Sequence, residues 1–195
     1  MKKILSVVML AMLWCGYAEA VPMLFSAQLS GAAENPPNIS GGTGSALVTY
    51  DPILHYLTID IDFTGLTGVT TASHIHCCTD APGNIGVATP TPSFPGFPAG
   101  VVSGMYDIIL DLTQTTSFNP SFVSAQGGTL AAAEQALIDG LGAGRAYLNI
   151  HTVAATGGEI RGFFQPVASV PEPVAIALLT IGLGGFLLAR RKQLA

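Results

Sequence analysis

Two of the four histidines are two positions apart, and two adjacent cysteines follow them directly. Residues 71–77 have the pattern of a β-strand, in which side chains at positions i and i+2 point to the same face. His74 and His76 therefore leave one face together, with their backbones about 7 Å apart. Two imidazoles at this spacing can bind one metal ion, and imidazole suits copper or zinc.

A second stretch supplies a third histidine. In residues 144–152 the apolar side chains share one face of a predicted strand, and His151 lies on the other face. The spacing predicts that His74, His76 and His151 meet at one transition-metal site, where neutral imidazole is the ligand. The alternative is that the three histidines bond to loops or lie in solvent.

The remaining histidine and the two adjacent cysteines are less diagnostic. By strand alternation His55 falls on the packed face with Leu57, which predicts a hydrogen-bonded core or edge residue. Adjacent Cα atoms are about 3.8 Å apart, below the usual disulfide range of about 4.4–6.8 Å. For Cys77 and Cys78, a vicinal disulfide, two free thiols, an intermolecular bridge and a thiolate ligand for copper(I) therefore stay open. A structural bridge that stiffens the following loop is the favoured interpretation.

Glu159 and Arg161 are the candidate charged residues beside the histidines. They are two positions apart and so share one face of the last predicted strand, residues 159–165. Arg161 is one of only two basic residues outside the chain ends, which predicts an ion pair near the neighbouring strand. The alternative is an arginine that holds an anion beside the histidines.

No catalytic motif accompanies these residues. The chain has no Gly-x-Ser-x-Gly elbow, phosphate-binding loop or His-Glu-x-x-His, so a hydrolase is not indicated. We therefore expect a binding or structural module in preference to an enzyme. Phe94 and Phe97, in the Pro/Gly-rich run at residues 81–100, would stack on sugars if exposed. The alternative is that they form the small core of that loop.

Residues 1–20 have the features of a secretory signal helix. Two lysines precede an apolar core, and Ala18-Glu19-Ala20 supplies the small residues of a cleavage site. The mature chain is therefore expected to begin near Val21 and to be exported. Cys15 follows the bulky Trp14, which is unlike a lipoprotein site, so Cys15 is expected to be lost with the signal.

Residues 170–195 combine three adjacent features. A Pro-Glu-Pro motif precedes a transmembrane helix predicted at residues 174–189, and basic residues follow it. This order resembles the PEP-CTERM sorting signal of exported bacterial proteins. The resemblance implies a Gram-negative host, an exosortase-type processing enzyme as partner, and transient anchoring in the inner membrane before removal of the tail. The motif residues are Pro171, Glu172, Pro173, Arg190, Arg191 and Lys192.

The charge of the domain between the two signals excludes one class of partner. Five of the seven basic residues lie in the chain ends, so the domain has two basic residues against ten acidic ones, a net charge of −8 without any lysine. Because phosphate binding needs clustered Lys and Arg, nucleic acid is excluded. Envelope proteins or exopolysaccharide are the predicted partners, in the periplasm, the cell envelope or the extracellular space.

The hydrophobic pattern of residues 21–169 predicts an all-β domain. Residues 53–63 alternate most regularly, with apolar side chains on one face and Thr or Asp on the other, as in an antiparallel sheet with one packed face. One short helix is predicted at residues 129–141, capped by Thr129. The other predicted strands are residues 24–30, 43–50, 71–77, 105–112, 144–152 and 159–165. Seven or eight short strands at this spacing predict an immunoglobulin-like, Greek-key β-sandwich.

Residues 26–164 resemble a CHRD domain, the module first noted in chordin and widespread in bacterial exported proteins. The likeness covers nearly the whole domain, with its motifs in order. The matching segments are residues 29–31, 34–37, 42–44, 74–76, 83–86, 144–152 and 158–162. The resemblance implies an immunoglobulin-like sandwich, and it places a His-Ile-His-Cys-Cys segment before a Pro/Gly-rich loop, as in members with PEP-CTERM tails.

A more distant likeness is to copper/zinc superoxide dismutases, which place a His-x-His pair on one strand, a later histidine, and an arginine that guides the anionic substrate. His74, His76, His151 and Arg161 have that order. The zinc-bridging histidine and the other zinc-site histidines have no counterpart, and the negative domain would repel superoxide. The likeness implies a copper-binding redox protein as the alternative function.

Overall fold

The computed structural model describes residues 21–168. Within them, eight strands and two α-helices follow one another along the chain. The strands are β1 (Met23–Ser30), β2 (Thr43–Asp51), β3 (Tyr56–Thr64), β4 (Thr70–Cys77), β5 (Gly104–Asp111), β6 (Ala146–Thr152), β7 (Ile160–Phe163) and β8 (Gln165–Val167). The helices are α1 (Pro120–Ala125) and α2 (Leu130–Gly142), both between β5 and β6.

Both predicted terminal signals lie outside the described residues, including the signal helix at residues 1–20 and the transmembrane helix at residues 174–189. Across residues 21–168, no helix has the length and apolar character needed to cross a membrane.

All strand pairs are antiparallel and join into one sheet. The order is β4-β6-β7-β1-β2-β3-β5, and β8 pairs with β1 beside β7. The mostly β, antiparallel, sandwich-like character of the domain is confirmed, whereas its immunoglobulin-like, Greek-key arrangement stays a prediction. The hydrogen-bonded ladder is nevertheless continuous, because the single pair Ser30–Arg161 between β1 and β7 connects the two halves. The sheet therefore curls instead of dividing into two.

The regular alternation predicted for β3 is present. Leu57, Ile59 and Ile61 are buried in the core, whereas Asp60 and Asp62 are exposed. This strand pairs along its full length with β2 and along most of it with β5. A two-faced strand of this kind stabilises the sheet by burying one apolar face, at about 25 cal/mol per Å² of apolar surface removed from water.

The helical prediction is confirmed in α2, whose N-cap Thr129 accepts a hydrogen bond from the backbone N–H of Ala132 at 3.2 Å. The six-residue helix α1 was not predicted. Its start has a recognisable signal, because Asn119 accepts from the N–H of Ser121 and Pro120 occupies the first helical position.

The half of the sheet made by β4, β6 and β7 is buried on both faces. Ile75 of β4 and Leu148 and Ile150 of β6 point into the core and are fully buried. Three connecting segments, residues 31–42, 78–103 and 153–159, cover the opposite face. The histidines lie on this covered, polar face of the sheet.

Candidate metal centre

The three predicted histidines share the polar face of β4 and β6. In the antiparallel register, His76 lies opposite Tyr147 and His74 lies opposite Asn149. His151 is two positions beyond Asn149 and therefore on the same face. The ring centroid of His74 is 5.9 Å from that of His76 and 5.1 Å from that of His151. The sheet thus brings together the three side chains that sequence spacing selected.

Each imidazole faces one backbone carbonyl. His74 Nε2 is 2.6 Å from the oxygen of Pro92, His76 Nδ1 is 2.7 Å from that of Ile85, and His151 Nδ1 is 2.9 Å from that of Thr156. A carbonyl oxygen only accepts, so each of these nitrogens carries the proton and donates. The other nitrogen of each neutral ring then keeps its lone pair free.

The three free nitrogens are buried and have no hydrogen-bond partner. They are His74 Nδ1, His76 Nε2 and His151 Nε2. The three histidines offer ligand nitrogens that all lie within 4.8 Å of one another. Buried polar atoms without a partner are uncommon, since each costs about 1–3 kcal/mol. One such nitrogen on each of three neighbouring histidines indicates a site shaped for a metal ion, which accepts the lone pairs of its ligands.

The long Pro/Gly-rich connection between β4 and β5 has a defined part in this site. It supplies the carbonyls of Ile85 and Pro92, and an isolated bridge between His76 and Val87 holds it against the sheet. Histidines that ligate metals usually donate their second N–H to a carbonyl or carboxylate, which fixes the ring and its tautomer. The loop provides that support for two of the three rings.

Burial keeps the three rings neutral. Burial lowers the pKa of His74 and of His151, and it lowers the pKa of His76 to about 4 against the effect of its bond to Ile85. The ordinary imidazole pKa is about 6.5. At neutral pH all three rings are therefore unprotonated at the free nitrogen, which is the form that binds a metal ion.

These lowered pKa values predict acid sensitivity of the metal-free protein. At these histidines the unfolded chain binds more protons than the folded chain between about pH 6.5 and pH 4. Their contribution to the free energy of unfolding therefore falls as the pH falls. His76 alone contributes a loss of about 3 kcal/mol by pH 4, at about 1.4 kcal/mol for each pKa unit. Urea unfolding at pH 7 and pH 4.5 measures the loss, and His76→Gln should reduce it.

Glu34 acts in the opposite direction and provides the control. Burial raises its pKa to about 7, although Arg161 nearby lowers it. Its folded form binds more protons than its unfolded form between about pH 4.5 and pH 7, which stabilises the fold as the pH falls. Glu34→Gln should therefore steepen the acid loss. Equal pH profiles for wild type, His76→Gln and Glu34→Gln would contradict both assignments.

The predicted pairing of Arg161 with Glu159 is wrong. Arg161 is 1% exposed, and its charged neighbour is Glu34, whose Oε2 is 3.7 Å from Nε. Its N–H groups donate to the carbonyls of Ala33 and Pro82 and to Asn84 Oδ1, at 2.5–2.7 Å. Each of its three nitrogens therefore donates to one of these partners, which directs the guanidinium toward Ala33 and the loop at residues 82–84.

Glu159 instead links three segments of the chain through hydrogen bonds to its carboxylate. It is 1% exposed and accepts from Ser40 Oγ, Thr152 Oγ1 and the N–H groups of Thr67 and Gly68. Burial alone would raise its pKa, but these hydrogen bonds lower the pKa to about 2. The carboxylate thereby closes the β6–β7 hairpin, which contains the Thr156 carbonyl that fixes His151.

Cys77 and Cys78 form a vicinal disulfide. Both sulfur atoms pack against α2, where a Cβ at Gly140 would overlap them. Cys77 belongs to the hydrophobic core, on the face of β4 opposite to the histidines. The bridge joins only neighbouring residues and crosses to no other segment, so it does not tie down the following loop. Neither sulfur belongs to the histidine cluster.

The prediction that His55 lies on the packed face is wrong. Its side chain is 47% exposed, in the turn between β2 and β3, with φ at +57°. The turn extends this far because Asp51 Oδ1 accepts from the N–H groups of Ile53 and Leu54, which ends the strand alternation. His55 Nδ1 lies 2.8 Å from Glu134 Oε1 of α2.

The sugar-stacking interpretation of Phe94 and Phe97 is not supported. Phe94 is 2% exposed and Phe97 is 8% exposed, and both rings pack against Tyr106 at centroid distances of 6.0 and 5.3 Å. Both belong to the main hydrophobic core of the domain, and Phe97 also stacks on Phe63 of β3 at 5.7 Å, so they do not form a separate core of the loop.

Comparison with known proteins identifies the domain. The family model of the CHRD domain matches residues 25–164, well over half of the chain. Comparison with curated proteins and with solved structures gave no match. CHRD domains are typical of secreted, extracellular proteins.

Proposed function

The chain belongs to the CHRD-domain family, and we propose that it is an exported binding module whose His74, His76 and His151 hold one copper or zinc ion. One observation carries this proposal. Each of the three histidines has one buried nitrogen without a hydrogen-bond partner, and its opposite nitrogen faces a carbonyl. The three rings together offer ligand nitrogens within 4.8 Å of one another.

The donor set favours copper or zinc over the hard cations. Calcium and magnesium take oxygen ligands, whereas neutral imidazole suits zinc and copper. A zinc–nitrogen bond of about 2.0–2.1 Å requires the nitrogens to approach to about 3.5 Å from one another, so binding draws the rings slightly together. Three protein ligands leave a fourth position for water or an external ligand.

A dismutase-like redox function has less support. Its substrate-guiding arginine would be Arg161, whose three nitrogens each donate to one of Ala33, Pro82 and Asn84. The net charge of −8 also repels an anionic substrate at long range. We therefore propose metal binding as a structural or recognition function, with copper redox chemistry as the alternative.

Export and sorting follow from the two terminal signals. Residues 1–20 would direct secretion, and an exosortase-type enzyme would remove the tail near Pro171-Glu172-Pro173. The domain would then reside in the periplasm, cell envelope or extracellular space of a Gram-negative bacterium. Its acidic, lysine-free composition suits envelope proteins or exopolysaccharide as neighbours and opposes contact with nucleic acid.

The test is the metal content of the mature protein. The full chain is exported to the periplasm of an expression host, purified without chelators, and analysed for copper and zinc by mass spectrometry. We expect about one metal ion per chain and near-complete loss in the His74→Ala/His76→Ala double variant.

Arg145→Gln is the matched control, because Arg145 is half-exposed and, within residues 21–168, forms an ion pair only with the exposed Asp80. This variant should retain the metal. No bound metal in the wild type after both metals are supplied, or equal content in the histidine variant, would overturn the proposal.

A further inference from the structure

Arg161 reaches from β7 into the segment that precedes a histidine-bonded carbonyl. Its Nη2 donates to the carbonyl of Pro82 at 2.7 Å, and its Nη1 donates to Asn84 Oδ1 at 2.6 Å and lies 3.5 Å from the carbonyl of Gly83. The planar guanidinium presents its donors in a fixed fork. Three successive loop residues are thereby held in one arrangement.

The next residue along the chain is Ile85, whose carbonyl accepts from His76 Nδ1. Its backbone N–H donates to the hydroxyl of Tyr147 at 3.3 Å. The position of this carbonyl therefore depends on the segment that Arg161 holds and on Tyr147. No comparable contact with Arg161 exists at the carbonyls of Pro92 and Thr156, as far as the described residues extend.

The Tyr147 ring provides a second connection. The ring of His76 stacks on it at 4.7 Å with an interplanar angle of 4°. The Cζ atom of Arg161 lies 4.9 Å from the centroid of the same ring, within the range of a cation–π contact. Arg161 therefore contacts both groups that fix the plane of the His76 ring, the loop before Ile85 and Tyr147.

We propose that Arg161 is the positioning residue of the metal centre, which sets the orientation and tautomer of His76 through residues 82–85 and Tyr147. The predicted effect of Arg161 on metal affinity rests on the proposed metal-binding function. Its effect on the orientation and tautomer of His76 is present without metal. Mutation of a residue that orients a metal-binding side chain typically changes metal affinity by about 10- to 100-fold.

Two variants test it. Arg161→Lys retains the positive charge beside Glu34 but loses the planar fork. Asn84→Ala removes the side-chain oxygen that accepts from Arg161 Nη1, at an exposed position, and leaves Arg161 in place. This variant remains informative if Arg161→Lys fails to fold. Zinc affinity is measured by competition with a chromophoric chelator, and ¹⁵N NMR of the metal-free full chain reports the tautomer of each imidazole.

We expect both folded variants to bind zinc more weakly, by about 10- to 100-fold for Arg161→Lys and less for Asn84→Ala. The NMR signature should change for His76 and stay unchanged for His74 and His151. Arg145→Gln should change neither measurement. An unchanged His76 tautomer, or equal changes in all three rings, would overturn the positioning role.

The two proposals fail separately in this experiment. If the wild type binds neither zinc nor copper, the metal-binding function fails, and a selective change at His76 in the metal-free variants still supports the positioning role. If the wild type binds zinc and His76 does not respond, the metal-binding function stands and the role of Arg161 fails.

Discussion

His76→Ala is expected to lower the affinity for zinc or copper by on the order of 100- to 1000-fold. Structural zinc sites with four ligands contribute about 10–16 kcal/mol, or roughly 2.5–4 kcal/mol for each ligand. Removing one of three ligands should cost a comparable amount, and about 1.4 kcal/mol corresponds to a tenfold change in affinity. Competition titration of the purified mature protein against a chelator of known affinity measures the change.

His55→Ala is the matched control for this loss. His55 is the remaining histidine, and its half-exposed ring bonds to Glu134 of α2. This variant removes an imidazole without touching the centre, so the affinity should stay within about twofold of wild type. An equal fall in both variants would mean that the ion binds to histidines nonspecifically, which contradicts the three-histidine centre.

Glu159→Ala is expected to destabilise the domain by about 2–6 kcal/mol, the cost of leaving two buried donors unsatisfied. The buried carboxylate accepts from two hydroxyl groups and two backbone N–H groups. Its removal leaves all four without this acceptor, and the N–H of Gly68 and the hydroxyl of Thr152 are buried. Each unsatisfied buried donor costs about 1–3 kcal/mol where water cannot enter. Urea unfolding at pH 7 measures the loss, and metal affinity should also fall because the hairpin supports His151.

Asp62→Ala is the control, since Asp62 is an exposed carboxylate on β3. Its effect should be within about 0.5 kcal/mol. Glu159→Gln should have an intermediate effect, because the amide retains one acceptor oxygen and turns its donor toward existing donors. A loss below about 1 kcal/mol for Glu159→Ala would show that water replaces the carboxylate and that Glu159 does not hold the hairpin.

Strand periodicity was sufficient to place the three histidines on one face. The two-residue repeat fixes the direction of His74 and His76, and the apolar face of β6 fixes that of His151. The same rule failed at His55, because an Asp51 side chain extends the turn and interrupts the alternation. Alternation predicts direction only while the strand continues.

Sequence patterns could not identify the groups that orient the rings. The carbonyls of Ile85, Pro92 and Thr156 belong to every residue type, so no side chain marks them. The partner of Arg161 was missed for a related reason. Proximity along the strand suggested Glu159, whereas the fold brings Glu34 and the loop at residues 82–84 to the guanidinium. Both contacts of Arg161 join residues that are distant in sequence and that only the three-dimensional fold brings together.

The most direct test of the metal centre is anomalous X-ray diffraction from crystals of the mature protein loaded, in separate experiments, with zinc and with copper. We predict one strong anomalous peak about 2.0–2.1 Å from His74 Nδ1, His76 Nε2 and His151 Nε2. The three carbonyl bonds on the opposite nitrogens should be retained. The absence of a peak between these rings, or peaks only at exposed carboxylates such as Asp60 and Asp62, would contradict the account.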